Sequence, residues 1–155
     1  MLLLVFQCGV AFFLLVTIYM VFAIFDSEFG FDGLFALVIQ FLFAIVIAIF
    51  TILLCLLIGL PIRLHPKIKN WWMKNFYVSI FGVMVGLALL GLSYLPQLTE
   101  TVAANINGID TTKKIPNVNL AVTGWFVTAF MVLHIYPPAV ISIKIKNAVL
   151  SKNGL

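Results

Sequence analysis

The chain has 155 residues, of which 64% are apolar and only 9% charged, and its mean hydropathy is +1.21. Such a chain has too little polar surface to cover a water-soluble globule, so lipid must solvate it. The formal net charge of +4 sits on cations that flank apolar runs, which points to anionic headgroups and leaves no basic stripe for nucleic acid.

Crossing a hydrocarbon core of about 30 Å takes roughly 20 helical residues. Four runs are long enough, over about 2–25, 34–60, 76–95 and 120–143. Each is continuously apolar, whereas a barrel strand would alternate over about ten residues. The expected architecture is therefore an all-α integral membrane protein, residues 1–155 forming one four-helix transmembrane domain folded as an up-and-down bundle.

The first run has no basic segment before it and is too long for a secretory signal, so it reads as a span. It is followed by Asp26-Ser27-Glu28-Phe29-Gly30-Phe31-Asp32-Gly33, which holds three carboxylates. Their spacing is not that of a twelve-residue calcium loop and no closing bidentate Glu follows, so they read as solvated loop charges.

Gly59 and Pro61 mark the end of the second run. In the segment from His65 to Phe76, the apolar Ile68, Trp71, Trp72 and Phe76 recur at helical spacing, with Lys67, Asn70 and Lys74 on another face. This pattern predicts a short interfacial helix, anchored at the headgroup level by Trp71, Trp72, Lys67 and Lys74.

The third run contains Gly82 and Gly86 in a Gly-x-x-x-Gly spacing, which predicts the closest helix–helix contact of the molecule. Beyond it, Gln97–Ile106 is expected to form a short helix presenting Leu98, Val102 and Ile106 on one apolar face, to be covered by the outer leaflet, the tops of the protein's own helices or a partner's surface, with Asn107-Gly108 as its stop. Within the fourth run stands His134, three and four residues before Pro137 and Pro138. Their rings leave the carbonyls of Leu133 and His134 without the usual donors, so a kink is expected there, with His134 as the one titratable intramembrane group.

Charge fixes an expected orientation. All five acidic residues lie in the 26–33 and 96–119 gaps, while seven of the nine Lys/Arg lie in the 61–75 gap or after the fourth run. Cytoplasmic loops collect Lys and Arg, so both termini and the 61–75 loop are expected inside, in a bacterial inner membrane.

No Asp, Glu, Lys or Arg falls in the middle of a run, which argues against a pump or an ion-coupled transporter. The intramembrane polar set is Gln7, Cys8, Thr17, Gln40, Thr51, Cys55, Ser79, Ser93, Thr123, Thr128 and His134, groups that commonly bond across helices. Cys8 and Cys55 are expected to share a depth as apolar fillers, there being no Cys-x-x-Cys. No nucleophile with a base and an orienting group can be assembled, and a lone His134 offers no paired haem or metal ligand.

The expectation is a non-enzymatic protein without cofactor or metal, an accessory, structural or assembly subunit whose partners are the lipid bilayer and other membrane subunits. A small channel or carrier is one alternative. The other is a membrane-embedded inhibitor of a pore-forming toxin, since the four-span layout is similar to that of some bacteriocin immunity proteins.

Overall fold

In lipid, backbone polar groups must be satisfied within their own segment, and continuous apolar runs do this as helices. A computed structural model of the protein describes residues 2–26, 31–106 and 109–136 and is mostly helical. Helix α1 covers Leu2–Asp26 and α2 covers Phe31–Ile58. Two short helices follow, α3 at Leu60–Leu64 and α4 at Pro66–Lys74. Helix α5 spans Phe76–Ser93, β1 Glu100–Ile106, β2 Ile109–Ile115 and α6 Val118–Leu133. Three of these, α1, α2 and α5, are long and apolar enough to cross a membrane; α6 is a shorter apolar helix of 16 residues.

Prolines set the joints between α2 and α5. Pro61 lies in the first turn of α3 and Pro66 in that of α4, where a missing N–H costs nothing. His65 between them is extended, as a residue preceding proline prefers. At the opposite end, the Asn117 side chain caps α6 by accepting from the Leu120 N–H at 3.0 Å.

Two expectations are corrected here. Residues 100–106 are not helical but form β1, paired antiparallel with β2 from Glu100↔Ile115 to Ile106↔Ile109. The register leaves only Asn107 and Gly108 between the strands, a dipeptide strongly favoured in two-residue hairpins, and the Thr and Ile content of 109–115 favours a strand over a helix. The Asn117 N–H donates to Ser93 O at 3.0 Å and closes the neck of this hairpin. The second correction concerns α6. Its regular turns end at Leu133 and 134–136 are non-helical, so the expected kink is a break in the helix; residues 137–143 of that run lie outside the described residues.

Cross-helix hydrogen bonds bring the start of α1, the end of α2, the start of α5 and the end of α6 together, so successive long helices alternate in direction. Helix α6 packs most extensively on α5 and also touches α1 and α2, whereas α2 and α5 share no extensive interface. The shortest of the four is thus the central one.

Lipid gives helices little hydrophobic reason to associate, so close approach must come from small residues. Ala11, Ala48 and Ala129 are buried with Leu15, Ile52, Cys55, Val132 and Leu133 in one cluster joining α1, α2 and α6. Between α5 and α6 the small residues are Gly82, Gly86 and Gly124, all buried. A Cβ on Gly86 would collide with Thr128 and one on Gly82 with the Met131 side chain. Phe6, Phe13, Phe35, Phe41, Phe43 and Phe50 point away from this core and are exposed.

Candidate functional site

The polar side chains gather at two places, at opposite ends of the bundle. The first surrounds the end of α6. Pro137 and Pro138 have no N–H to offer the preceding turn, so the carbonyls of Leu133 and His134 need other donors. They find them on two other segments, and a third segment serves the next carbonyl, that of Ile135. Arg63 of α3 donates from Nη2 to Leu133 O at 2.8 Å and, at 3.3 Å, to Gln7 Oε1 of α1. Gln7 in turn donates from Nε2 to Ile135 O at 2.6 Å. Ser79 of α5 donates to His134 O at 3.1 Å and accepts from Trp72 Nε1 of α4 at 2.7 Å.

His134 itself is fully buried. Its Nδ1 lies 2.7 Å from Phe130 O, and a carbonyl can only accept, so Nδ1 carries the proton. Its ring lies against Phe130, centroids 4.4 Å apart, and meets Trp72 edge-on at 6.2 Å. The other edge faces Gly59, where an added Cβ would collide with Nε2 and Cε1. Gly59 has an ordinary right-handed backbone, so the close approach of the imidazole is what requires glycine there. Nε2 of His134 and Nε of Arg63 are the buried side-chain atoms without a hydrogen-bond partner among the described residues.

The anchor residues divide. Trp72 is half-buried and turned into this cluster, while Trp71, Lys67 and Lys74 are exposed. Trp71 packs edge-on against Trp72 at 5.7 Å. Arg63, read from sequence only as a loop cation, is half-buried and holds the cluster together. The signal for it was present, since the Pro137-Pro138 pair left carbonyls in need of donors; which donors would answer depended on the packing of α1, α3 and α5.

The second polar place is a partly open groove of about 730 Å³ near the hairpin end, walled by α1, α2, α5 and α6. Its described lining is mostly apolar and includes the aromatic rings of Tyr19, Phe22, Phe50, Tyr94, Trp125 and Phe126. Phe22 stacks on Tyr94 with centroids 4.5 Å apart. Tyr19 OH donates to Gln40 Oε1 at 2.7 Å, and Trp125 Nε1 donates to Thr51 Oγ1 at 3.0 Å. Thr51 donates onward to Ile47 O at 2.8 Å, which leaves its hydroxyl fully engaged.

Leu98 and Val102 are exposed on the hairpin segment, with Val102 opposite Lys113 in the register; the Ile106 side chain lies outside the described residues. The centre of the acidic loop, 27–30, lies outside them as well. Cys8 and Cys55 are free thiols, Cys55 within the apolar core and Cys8 packed against it. Among the described residues no three His, Cys, Asp or Glu side chains converge as a metal site would require.

A mostly helical body with three helices of membrane-spanning length and a shorter apolar fourth defines a protein of the membrane class. No family model matches the sequence, and no match was found among curated proteins or among solved structures.

Proposed function

We propose that the protein is a small, non-enzymatic integral membrane protein serving as an accessory, structural or assembly subunit of a larger membrane complex. In this reading it crosses a bacterial inner membrane four times, α6 with residues 134–136 making the fourth crossing. Both termini and α4 face the cytoplasm, and the hairpin faces outward. The orientation rests on Arg63, Lys67, Lys69 and Lys74 at one end against Lys113 and Lys114 at the other. A cysteine replacing Lys114 should be labelled by an impermeant thiol reagent from outside and one replacing Lys69 should not; the opposite pattern reverses the orientation.

One observation carries the functional reading. Gln7, Arg63 and Ser79 are engaged with the backbone carbonyls of residues 133–135, which supports a role as structural fasteners, and the one base left without a partner, His134 Nε2, is packed against Gly59. Nor do they line a path, because the cluster is closed by the packing of His134 on Gly59 and the described lining of the groove at the far end is mostly apolar. The exposed Leu98 and Val102 supply an outer surface for a partner subunit.

The test is native mass spectrometry of the protein extracted from its own membrane in mild detergent. Stoichiometric foreign subunits support the accessory role. A lone monomer or homo-oligomer overturns it and directs attention to transport or toxin protection.

A further inference from the structure

The groove at the hairpin end differs from the rest of the apolar surface in one chemical respect. Gln40 commits its Oε1 to Tyr19, and its Nε2 has no hydrogen-bond partner among the described residues, although it stands in the groove wall. An amide nitrogen offers two N–H donors and no acceptor, so it selects for an oxygen acceptor. The remaining polar atoms of Thr51 and Trp125 satisfy one another and solicit nothing.

The other properties of the groove narrow the ligand. At about 730 Å³ it lies within the usual range of small-molecule sites, roughly 300–1,000 Å³. Among the described residues that line it none is charged, so this lining does not suit an ionised group. Its walls belong to apolar helices, so a ligand would arrive from the bilayer rather than from water.

We propose that this groove binds a neutral, carbonyl-bearing portion of a lipid, its apolar chain or ring lying between Phe22, Phe50, Trp125 and Phe126 and its carbonyl oxygen accepting from Gln40 Nε2. An acyl ester of a bilayer lipid and a lipid-soluble quinone share this chemistry. Tyr19 acts as a positioning residue: by donating to Gln40 Oε1 it orients the amide so that the nitrogen faces the ligand. The site holds whether or not other subunits dock elsewhere.

The experiment is extraction in mild detergent followed by native mass spectrometry, with solvent extraction of the retained molecule to distinguish an acyl glycerolipid from a quinone. Three single variants are compared with the unaltered protein: Gln40→Leu, which removes the donor, and Ala121→Phe and Ala23→Phe, which fill the groove from opposite walls. Helicity and monodispersity of each variant establish that it is folded, and any one that is not is set aside in favour of the others.

The unaltered protein should retain one lipid through delipidating washes. Filling from either wall should lower retention at least tenfold, and Gln40→Leu should lower it about fivefold, the worth of one net hydrogen bond. Equal retention by the folded variants overturns the site, as does the absence of any wash-resistant lipid. A photo-crosslinker at Val122 on the groove wall that captures a protein subunit instead of lipid overturns it too.

Discussion

The imidazole of His134 lies directly against the backbone of Gly59, closer than any side chain at position 59 would allow. This contact locks the end of α6 onto the turn between α2 and α3. Gly59→Ala should therefore cost about 1–3 kcal/mol through overpacking, read as a lower unfolding midpoint in an SDS titration. The same substitution made in a His134→Ala background should cost much less. Equal costs in the two backgrounds would show that the close approach is not the reason for glycine.

Arg63 Nη2 serves Leu133 O and Gln7 Oε1 together. Arg63→Ala leaves a buried carbonyl without its donor, and a hydrogen bond from a charged group contributes about 1.5–3 kcal/mol. We expect a loss of that size by the same titration. Gln7→Ala should weaken α1–α6 association in a non-additive manner with Arg63→Ala, because the two side chains share one network. Strict additivity would contradict the network.

The two adjacent tryptophans should respond differently. Trp72→Phe removes the donor to Ser79 and should cost about 1 kcal/mol, with coupling to Ser79→Ala in a double-mutant cycle. Trp71 is exposed, so Trp71→Phe should change stability by no more than about 0.5 kcal/mol. Similar losses from both would mean that the inward turn of Trp72 has no energetic consequence.

Glycines of α5 provide an internal control. A Cβ on Gly86 would meet Thr128 Oγ1 and, at 2.8 and 3.0 Å, the backbone atoms Thr128 N and Gly124 O, which cannot swing aside. Gly86→Ala should separate α5 from α6 and destabilise the protein. Gly91 has nothing within 4 Å of an added Cβ, so Gly91→Ala should be neutral or stabilising by up to about 1 kcal/mol through helix propensity. Thermal scans of both variants in detergent decide the matter; a larger loss at Gly91 than at Gly86 would contradict the packing.

Much of the architecture is legible in the sequence because one physical variable, continuous apolarity, governs it. The first three runs correspond to α1, α2 and α5 within a few residues, and the Pro66 to Lys74 segment is helical as its spacing requires. The hairpin was not legible in the same way. Leu98, Val102 and Ile106 fit a helical period, and Asn107-Gly108 can end a helix or connect two strands. Only the strand propensity of 109–115, on the far side of that dipeptide, separates the two.

At the end of α6, the sequence identified the freed carbonyls but not their partners. Gln7, Arg63 and Ser79 are remote from His134 along the chain, and no local pattern connects them. Gly59 carried an ambiguous signal, since glycine near a helix end is ordinary and only the position of the imidazole distinguishes close approach from capping. Gln40 likewise was one polar residue among many until the wall around it was known.

The central position of the shortest helix bears on the timing of assembly. The Gln7 to Ile135 bond joins positions 128 residues apart. Synthesis delivers α1, α2 and α5 first, with Ala11, Ala48, Gly82 and Gly86 facing a neighbour not yet made. Until α6 arrives, those surfaces have only lipid, one another or an insertion factor to rest against. Truncation before α6 would thus remove the common interface of every other long helix, leaving hydrophobic segments that can enter a bilayer but have no shared centre around which to close.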